Sequence, residues 1–196
     1  MVRISGGQHR GHVVQVPVGH DVRPTTGRVR EAVFSILGER LSGAWIWDLF
    51  AGSGLLGLEA LSRGAAKAAF VDLSPVACTT VQHNVGRLRW QDLATVIQGS
   101  AIHDATLTRI EHFFQCRHQG EKNSSIVFLD PPYHRNLIPE TLSALEAVSC
   151  IIPGSLAVVE HEAGASLKDF SAWEPLQYRS YGDTRISIFV KTDGKK

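Results

Sequence analysis

Cysteine is scarce in this chain. Cys78, Cys116 and Cys150 are the only three, odd in number, widely spaced and without a C-x-x-C pair. That pattern argues against a disulfide framework and against a structural zinc site. Long apolar runs are missing as well. Leu156–Val159 is typical of the longest, far short of the roughly 18 residues a membrane span requires. No apolar stretch follows Arg3, so a secretory signal is not expected, and the chain is expected in the cytoplasm without a membrane partner. Internal repeats, low-complexity tracts and long linkers are absent too. Against these absences stand 43% hydrophobic residues in a chain of 196, enough for a real core, which excludes intrinsic disorder. That length suits one α/β domain with a short extension, not two enzymatic domains.

The net charge of +1 conceals an asymmetry. Residues 1–30 hold Arg3, Arg10, Arg23, Arg28 and Arg30 against Asp21 alone, a net +4, leaving 15 basic and 18 acidic residues elsewhere, a net −3. A basic arm on a mildly acidic body fits a polyanion such as nucleic acid; the alternative is that these arginines merely solubilise a hairpin. Residues 1–24 read as that arm. Arg3-Ile4-Ser5, a Gly-Gly turn and the β-branched alternation of His12–Val16 predict a small β-hairpin.

Residues 25–196 read as one catalytic domain. Thr25 or Thr26 can cap a helix bearing Val29, Val33, Ile36, Leu37 and Leu41 at helical spacing. Strand and helix then alternate: strands over 45–50, 67–72, 95–98, 125–130 and 155–160, helices over 55–63, 75–88, 103–116 and 137–149. Ser74 and Pro75 supply the cap and first turn of the second of these helices. Tyr178–Tyr181 and Ile186–Lys191 around Gly182-Asp183 predict a closing hairpin. The fold class is therefore α/β, a mostly parallel, doubly wound sheet with an antiparallel edge strand. In such sheets ligands sit at the carboxyl ends of the strands, near the topological switch point.

The first of these exits reads Asp48-Leu49-Phe50-Ala51-Gly52-Ser53-Gly54-Leu55-Leu56-Gly57, a G-x-G-x-x-G on a strand-to-helix turn. Asp72 ends the next strand 20 residues after Gly52, the spacing of an acid that holds ribose hydroxyls. The glycines alone could serve only helix–strand packing. Asp48 separates the cofactor candidates. A carboxylate beside the turn would repel the pyrophosphate of NAD, whereas the ammonium and sulfonium of S-adenosylmethionine suit it.

The fourth strand's exit, Asp130-Pro131-Pro132-Tyr133, is the sharpest signal. Two prolines remove backbone donors and leave carbonyls and a carboxylate, an acceptor-only site suited to a planar amino group. Tyr133 offers a face on which a base can stack. The plain alternative is a proline-rich turn whose Asp caps a helix.

With both motifs in view, the chain resembles the RsmD family of bacterial 16S ribosomal RNA guanine methyltransferases. The likeness runs through Arg3-Ile4-Ser5-Gly6-Gly7, Arg10-Gly11, Arg23-Pro24-Thr25-Thr26 and Arg28 to Phe34. It continues through the Asp48–Gly54 loop, Gly57 to Ala65, Asp130–Tyr133 and Tyr181-Gly182-Asp183-Thr184, nearly the whole chain. It implies a Rossmann-like methyltransferase fold and S-adenosylmethionine held by Thr25, Asp48, Phe50, Ala51, Gly52, Gly54, Asp72, Ser100 and Ala101. It implies RNA contact through Arg3, Arg10 and Arg23, and catalysis by Asp130, Pro131, Pro132 and Tyr133. The substrate implied is the exocyclic 2-amino group of guanine 966 in 16S rRNA, within an assembled small-subunit particle, modified by a monomer. Asp72 stands where the family usually has Glu. Ser100 stands where it usually has an acid against the adenine amino group, and Asp104, one turn on, is the alternative.

Other readings stay in play. A DNA adenine or cytosine amino methyltransferase shares the Asp-Pro-Pro-Tyr logic but usually carries a target-recognition domain, for which 196 residues leave little space. A non-catalytic RNA-binding assembly factor would keep the arm and let the cleft decay. No metal site is expected: His9, His12 and His20 lie in the arm without partnering carboxylates or cysteines.

Overall fold

The computed structural model describes residues 2–17, 27–115, 124–132, 137–165, 167 and 170–194. Arg23, Thr25, Tyr133 and the capping role of Thr25 or Thr26 lie outside them. Strands β1 (Val2–Arg3) and β2 (Val13–Val14) pair antiparallel as the arm's hairpin. Helix α1 (Gly27–Leu37) continues into a 3-10 turn over Gly38–Leu41. Then come β3 (Trp45–Asp48), α2 (Leu55–Ser62), β4 (Lys67–Asp72), α3 (Pro75–Leu88), β5 (Ala94–Gln98) and α4 (Asp104–Phe114). The chain closes with β6 (Ser125–Leu129), α5 (Leu137–Glu146), β7 (Leu156–Glu162), β8 (Trp173–Tyr181) and β9 (Thr184–Lys191).

The main sheet runs β5-β4-β3-β6-β7-β9-β8, parallel from β5 through β7. The terminal hairpin closes one edge of the sheet with antiparallel pairing, as the sequence implies. β9 inserts between β7 and β8, leaving β8 outermost, because the two-residue turn at Gly182-Asp183 folds the hairpin back on itself. The chain leaves β3 toward β4 and β5 on one side, then returns to β6 on the other. The β3/β6 boundary is therefore the switch point.

Apolar residues on both faces of the central strands create two cores. Ile46, Phe70 and Phe128 face α1–α3, where Phe34, Leu58 and Val81 cover them. Trp47, Val71 and Val127 face α4 and α5, under Ile110, Phe114 and Leu142. Trp47 donates its indole N–H to Ser125 Oγ, which donates to the Cys150 carbonyl, so this buried polar chain is satisfied. Trp90 and Trp173 are both core residues, and Trp173 Nε1 donates to the Leu142 carbonyl at 3.1 Å. Two sequence expectations change. Cys78 is a free thiol but Cys150 is disulfide-bonded, since spacing along the chain does not limit approach in space. Arg30, grouped by charge with the basic arm, is buried.

Candidate active site

The register aligns four carboxylates along the carboxyl edge. Asp48 of β3 lies opposite Phe70 of β4 and Phe128 of β6, and Phe128 lies opposite Val158 of β7. Asp72, Asp130 and Glu160 each follow one of those residues by two positions. A two-residue step returns to the same face of a strand, so Asp72, Asp130 and Glu160 share Asp48's face and lie one pleat nearer the edge. Among the described residues both ion pairs converge on Glu59, and neither reaches Asp48, Asp72 or Asp130.

Crowding and burial act on Asp48 and Asp130 in one direction. Asp48 is 3% exposed, and burial first, with the nearby Asp72 adding, pushes its pKa up to about 7 against the opposing Gly57 N–H bond of 3.0 Å. Asp130, just past β6, is pushed up to about 8 by burial, then by Glu160 and Asp48. A cation set among them would favour their ionised forms and be held by them. Pro131 is buried and Pro132 exposed, so the turn after Asp130 opens to solvent on one side only.

The glycine turn is held from its flanks. Ala51 N donates to the Val71 carbonyl at 2.9 Å and Gly54 N to the Ala51 carbonyl at 2.7 Å. Gly52 has φ +54, and a Cβ there would meet only open space, which is the room a nucleoside needs over this turn. Gly57 is needed for a different reason: a Cβ would lie 2.3 Å from Phe70 Cε1. Asp72 accepts from Gly52 N at 2.9 Å and from Ser74 N at 2.8 Å, joining the turn to the start of α3. Phe50 is partly buried beside this turn, Ala51 and Ala101 are buried, and Ser100 Oγ accepts a long bond from Ile102 N. Asp104 is exposed at the start of α4. These features fit S-adenosylmethionine: acceptors for two cationic groups, a carboxylate for ribose and clearance above Gly52.

The described part of the arm, residues 2–17, is docked rather than free. Glu59, fully buried in α2, accepts from Ser5 N at 2.7 Å and Ser5 Oγ at 2.8 Å and pairs with Arg63 at 2.8 Å. Arg30 lies 3.6 Å from the same carboxylate and donates to the Arg3 carbonyl. Ser62 Oγ donates to the Gly6 carbonyl and accepts from His9 N. Arg3 and Arg10 are exposed, although Arg3 also donates to the Gly11 carbonyl at 2.7 Å. His9 packs edge-on to Trp90. Sequence reasoning missed Glu59, Asn84 and Glu160. A lone acid on the apolar run Leu55–Ser62 signals a buried partner, and Glu160 ends a strand as Asp130 does.

A family model described as "Conserved hypothetical protein 95" matches residues 2–190. The ribosomal RNA small subunit methyltransferase D of Escherichia coli K12 is 37% identical over 191 residues, 97% of this chain and 90% of that protein. The solved structure of yhhF from Escherichia coli superposes with a TM-score of 0.77 at 32% identity, covering 97% of each chain. An RNA methyltransferase from Salinibacter ruber, solved with S-adenosyl-L-homocysteine, shares the fold at 15% identity and a TM-score of 0.56, over 88% of this chain and 96% of that one.

Proposed function

Because the chain belongs to the RsmD family of ribosomal RNA small subunit methyltransferases, we propose that it methylates the exocyclic 2-amino group of one guanine, guanine 966, in 16S rRNA. It is an S-adenosylmethionine-dependent ribosomal RNA methyltransferase with a Rossmann-like fold. The amine target is supported by one observation, the carboxylate row at the switch point with Asp130 at the mouth of a proline turn, while guanine and its position follow from the family resemblance. That row favours a cationic cofactor and an amine that turns positive as it reacts. Residues 1–24 serve as the RNA-binding extension and 25–196 as the catalytic unit, a cytoplasmic monomer acting on the assembled small-subunit particle.

S-adenosylmethionine supplies an electrophilic methyl group on a sulfonium. Asp48 would neutralise the cofactor's cationic end, and Asp72 would accept from its ribose. Phe50, Ala51, Gly52 and Gly54 shape the turn beneath it. Ser100 and Ala101 would border the adenine, and Thr25 is the remaining residue assigned to the cofactor. An aryl amine is a poor nucleophile because its lone pair is delocalised into the ring. Asp130 and the Pro131 carbonyl accept the two amino hydrogens, which lets the nitrogen rehybridise toward the methyl group. Positive charge would grow on nitrogen as the N–C bond forms and the S–methyl bond breaks to leave a neutral thioether, so Asp130 would stabilise the transition state more than the ground state. It can also receive the departing proton. Pro132 fixes the turn, and Tyr133 stacks on the target base. Arg3, Arg10 and Arg23 bind phosphates.

The test is mass mapping of 16S rRNA from cells with and without the gene. Methylation with tritiated cofactor on small subunits from the deletion strain completes it. A missing N2-methyl mark at guanine 966, restored by the purified protein, is expected. An unchanged methylation map would overturn the proposal.

A further inference from the structure

We infer that Asn84 is a positioning residue that ties the N-terminal hairpin to the glycine turn, so that order imposed at the turn is transmitted to the arm. This rests on the reading that the turn takes a nucleoside cofactor. Asn84 lies in α3 and is 2% exposed. Asparagine is a poor helix former, and a buried amide is costly unless its two donors and its acceptor are met. None of its partners belongs to α3. Its Oδ1 accepts from Gln15 N at 2.9 Å, and its Nδ2 donates to the Gln15 carbonyl and to the Ser53 carbonyl, each at 3.0 Å.

One planar amide thus occupies both backbone groups of Gln15, as a neighbouring strand would, and also grips the middle residue of the Gly52-Ser53-Gly54 turn. Because the amide is rigid, the Ser53 carbonyl cannot shift without turning the group that holds Gln15. The hairpin's other polar anchors, Arg30, Glu59 and Ser62, hold residues 3–9 and leave Gln15 to Asn84. Gln15 is also the last of these anchored residues before the chain runs on toward Arg23. Asn84 touches neither cofactor nor RNA in this scheme; it acts through Ser53 on one side and Gln15 on the other.

The decisive measurement is amide exchange at Gln15 in the full-length protein, with and without S-adenosylhomocysteine. Saturating ligand should slow Gln15 exchange about five- to tenfold in the wild type, the scale of one strengthened buried hydrogen bond. It should do little in Asn84→Ala. That variant should also bind S-adenosylhomocysteine about tenfold more weakly, with the cofactor KM rising more than kcat falls. Gln15→Pro removes the Gln15 donor without touching α3 or the turn, and its affinity should fall a few-fold in the same direction. Unchanged Gln15 exchange in the liganded wild type would overturn the tie, as would wild-type ligand affinity in Gln15→Pro. Failure of the wild type to bind S-adenosylhomocysteine at all would overturn the cofactor reading, and the tie with it.

Discussion

Replacing Asp48 by Asn tests the electrostatics of the site without a change of shape. The Asn Oδ1 can still accept from Gly57 N, now at 3.0 Å from the carboxylate, so the turn keeps its bond. What changes is titration. A carboxyl whose pKa rises on folding binds its proton more tightly in the native than in the unfolded chain. The native state therefore loses stability as pH climbs from the unfolded value to the folded one. For Asp48 that window runs from 3.8 to about 7. About three pH units at about 1.4 kcal/mol each amount to a loss of about 4 kcal/mol. Asp48→Asn removes it. The cofactor-free variant should match the wild type near pH 4 and gain on it through pH 7. Above that it should gain further as relief of repulsion lowers the pKa of Asp130. His9 and His161, whose pKa values burial lowers, push stability the opposite way with pH, but they are present in both proteins and cancel in the difference. Urea unfolding at pH 4, 5, 6, 7 and 8 measures it. A difference that stays flat with pH would mean that Asp48 remains ionised in the fold, and the crowding argument would fail. The same variant should bind S-adenosylmethionine more weakly at pH 8, where the wild-type carboxylate is charged.

Asp130→Asn turns an acceptor into a donor facing the amine's own hydrogens. Single-turnover methylation should fall on the order of 100-fold or more while calorimetry shows cofactor binding retained. Glu59→Gln leaves Arg30 and Arg63 beside a neutral amide, and denaturant unfolding should register a loss of about 3–5 kcal/mol, with faster proteolysis within residues 5–9. Gly57→Ala drives a methyl into Phe70 and toward Asp48, so thermal unfolding should show about 1–3 kcal/mol lost together with weaker cofactor binding.

The elements that positioned the site were legible where local chemistry matched global placement. β4 and α3 begin and end as read, because Ser74 caps with its own hydroxyl onto Ala77 N and Pro75 fills the first turn. β3 and β6 were legible because strands buried on both faces are apolar throughout. β8 was not. Its first half, Trp173–Gln177, carries Pro175 and a register shift, and proline breaks the strand pattern that an edge position tolerates. Within the site, the positions of Asp48, Asp72 and Asp130 at strand ends were readable from spacing. Their shared face was not, because register belongs to the pairing of strands far apart in sequence. Arg30 shows the limit of counting charge: its neighbours in sequence are basic, but its neighbour in space is Glu59.

The docked arm has a thermodynamic consequence. Two strands of two residues each could not hold a hairpin in water on their own. Ile4 and Val14 sink into the same core as α1–α3, and Glu59 secures the turn from beneath. The conformational entropy of residues 2–17 is thus spent during folding. A polyanion meeting Arg10 encounters a surface already in shape, and association there escapes the ordering penalty that a disordered basic tail would owe at the moment of contact.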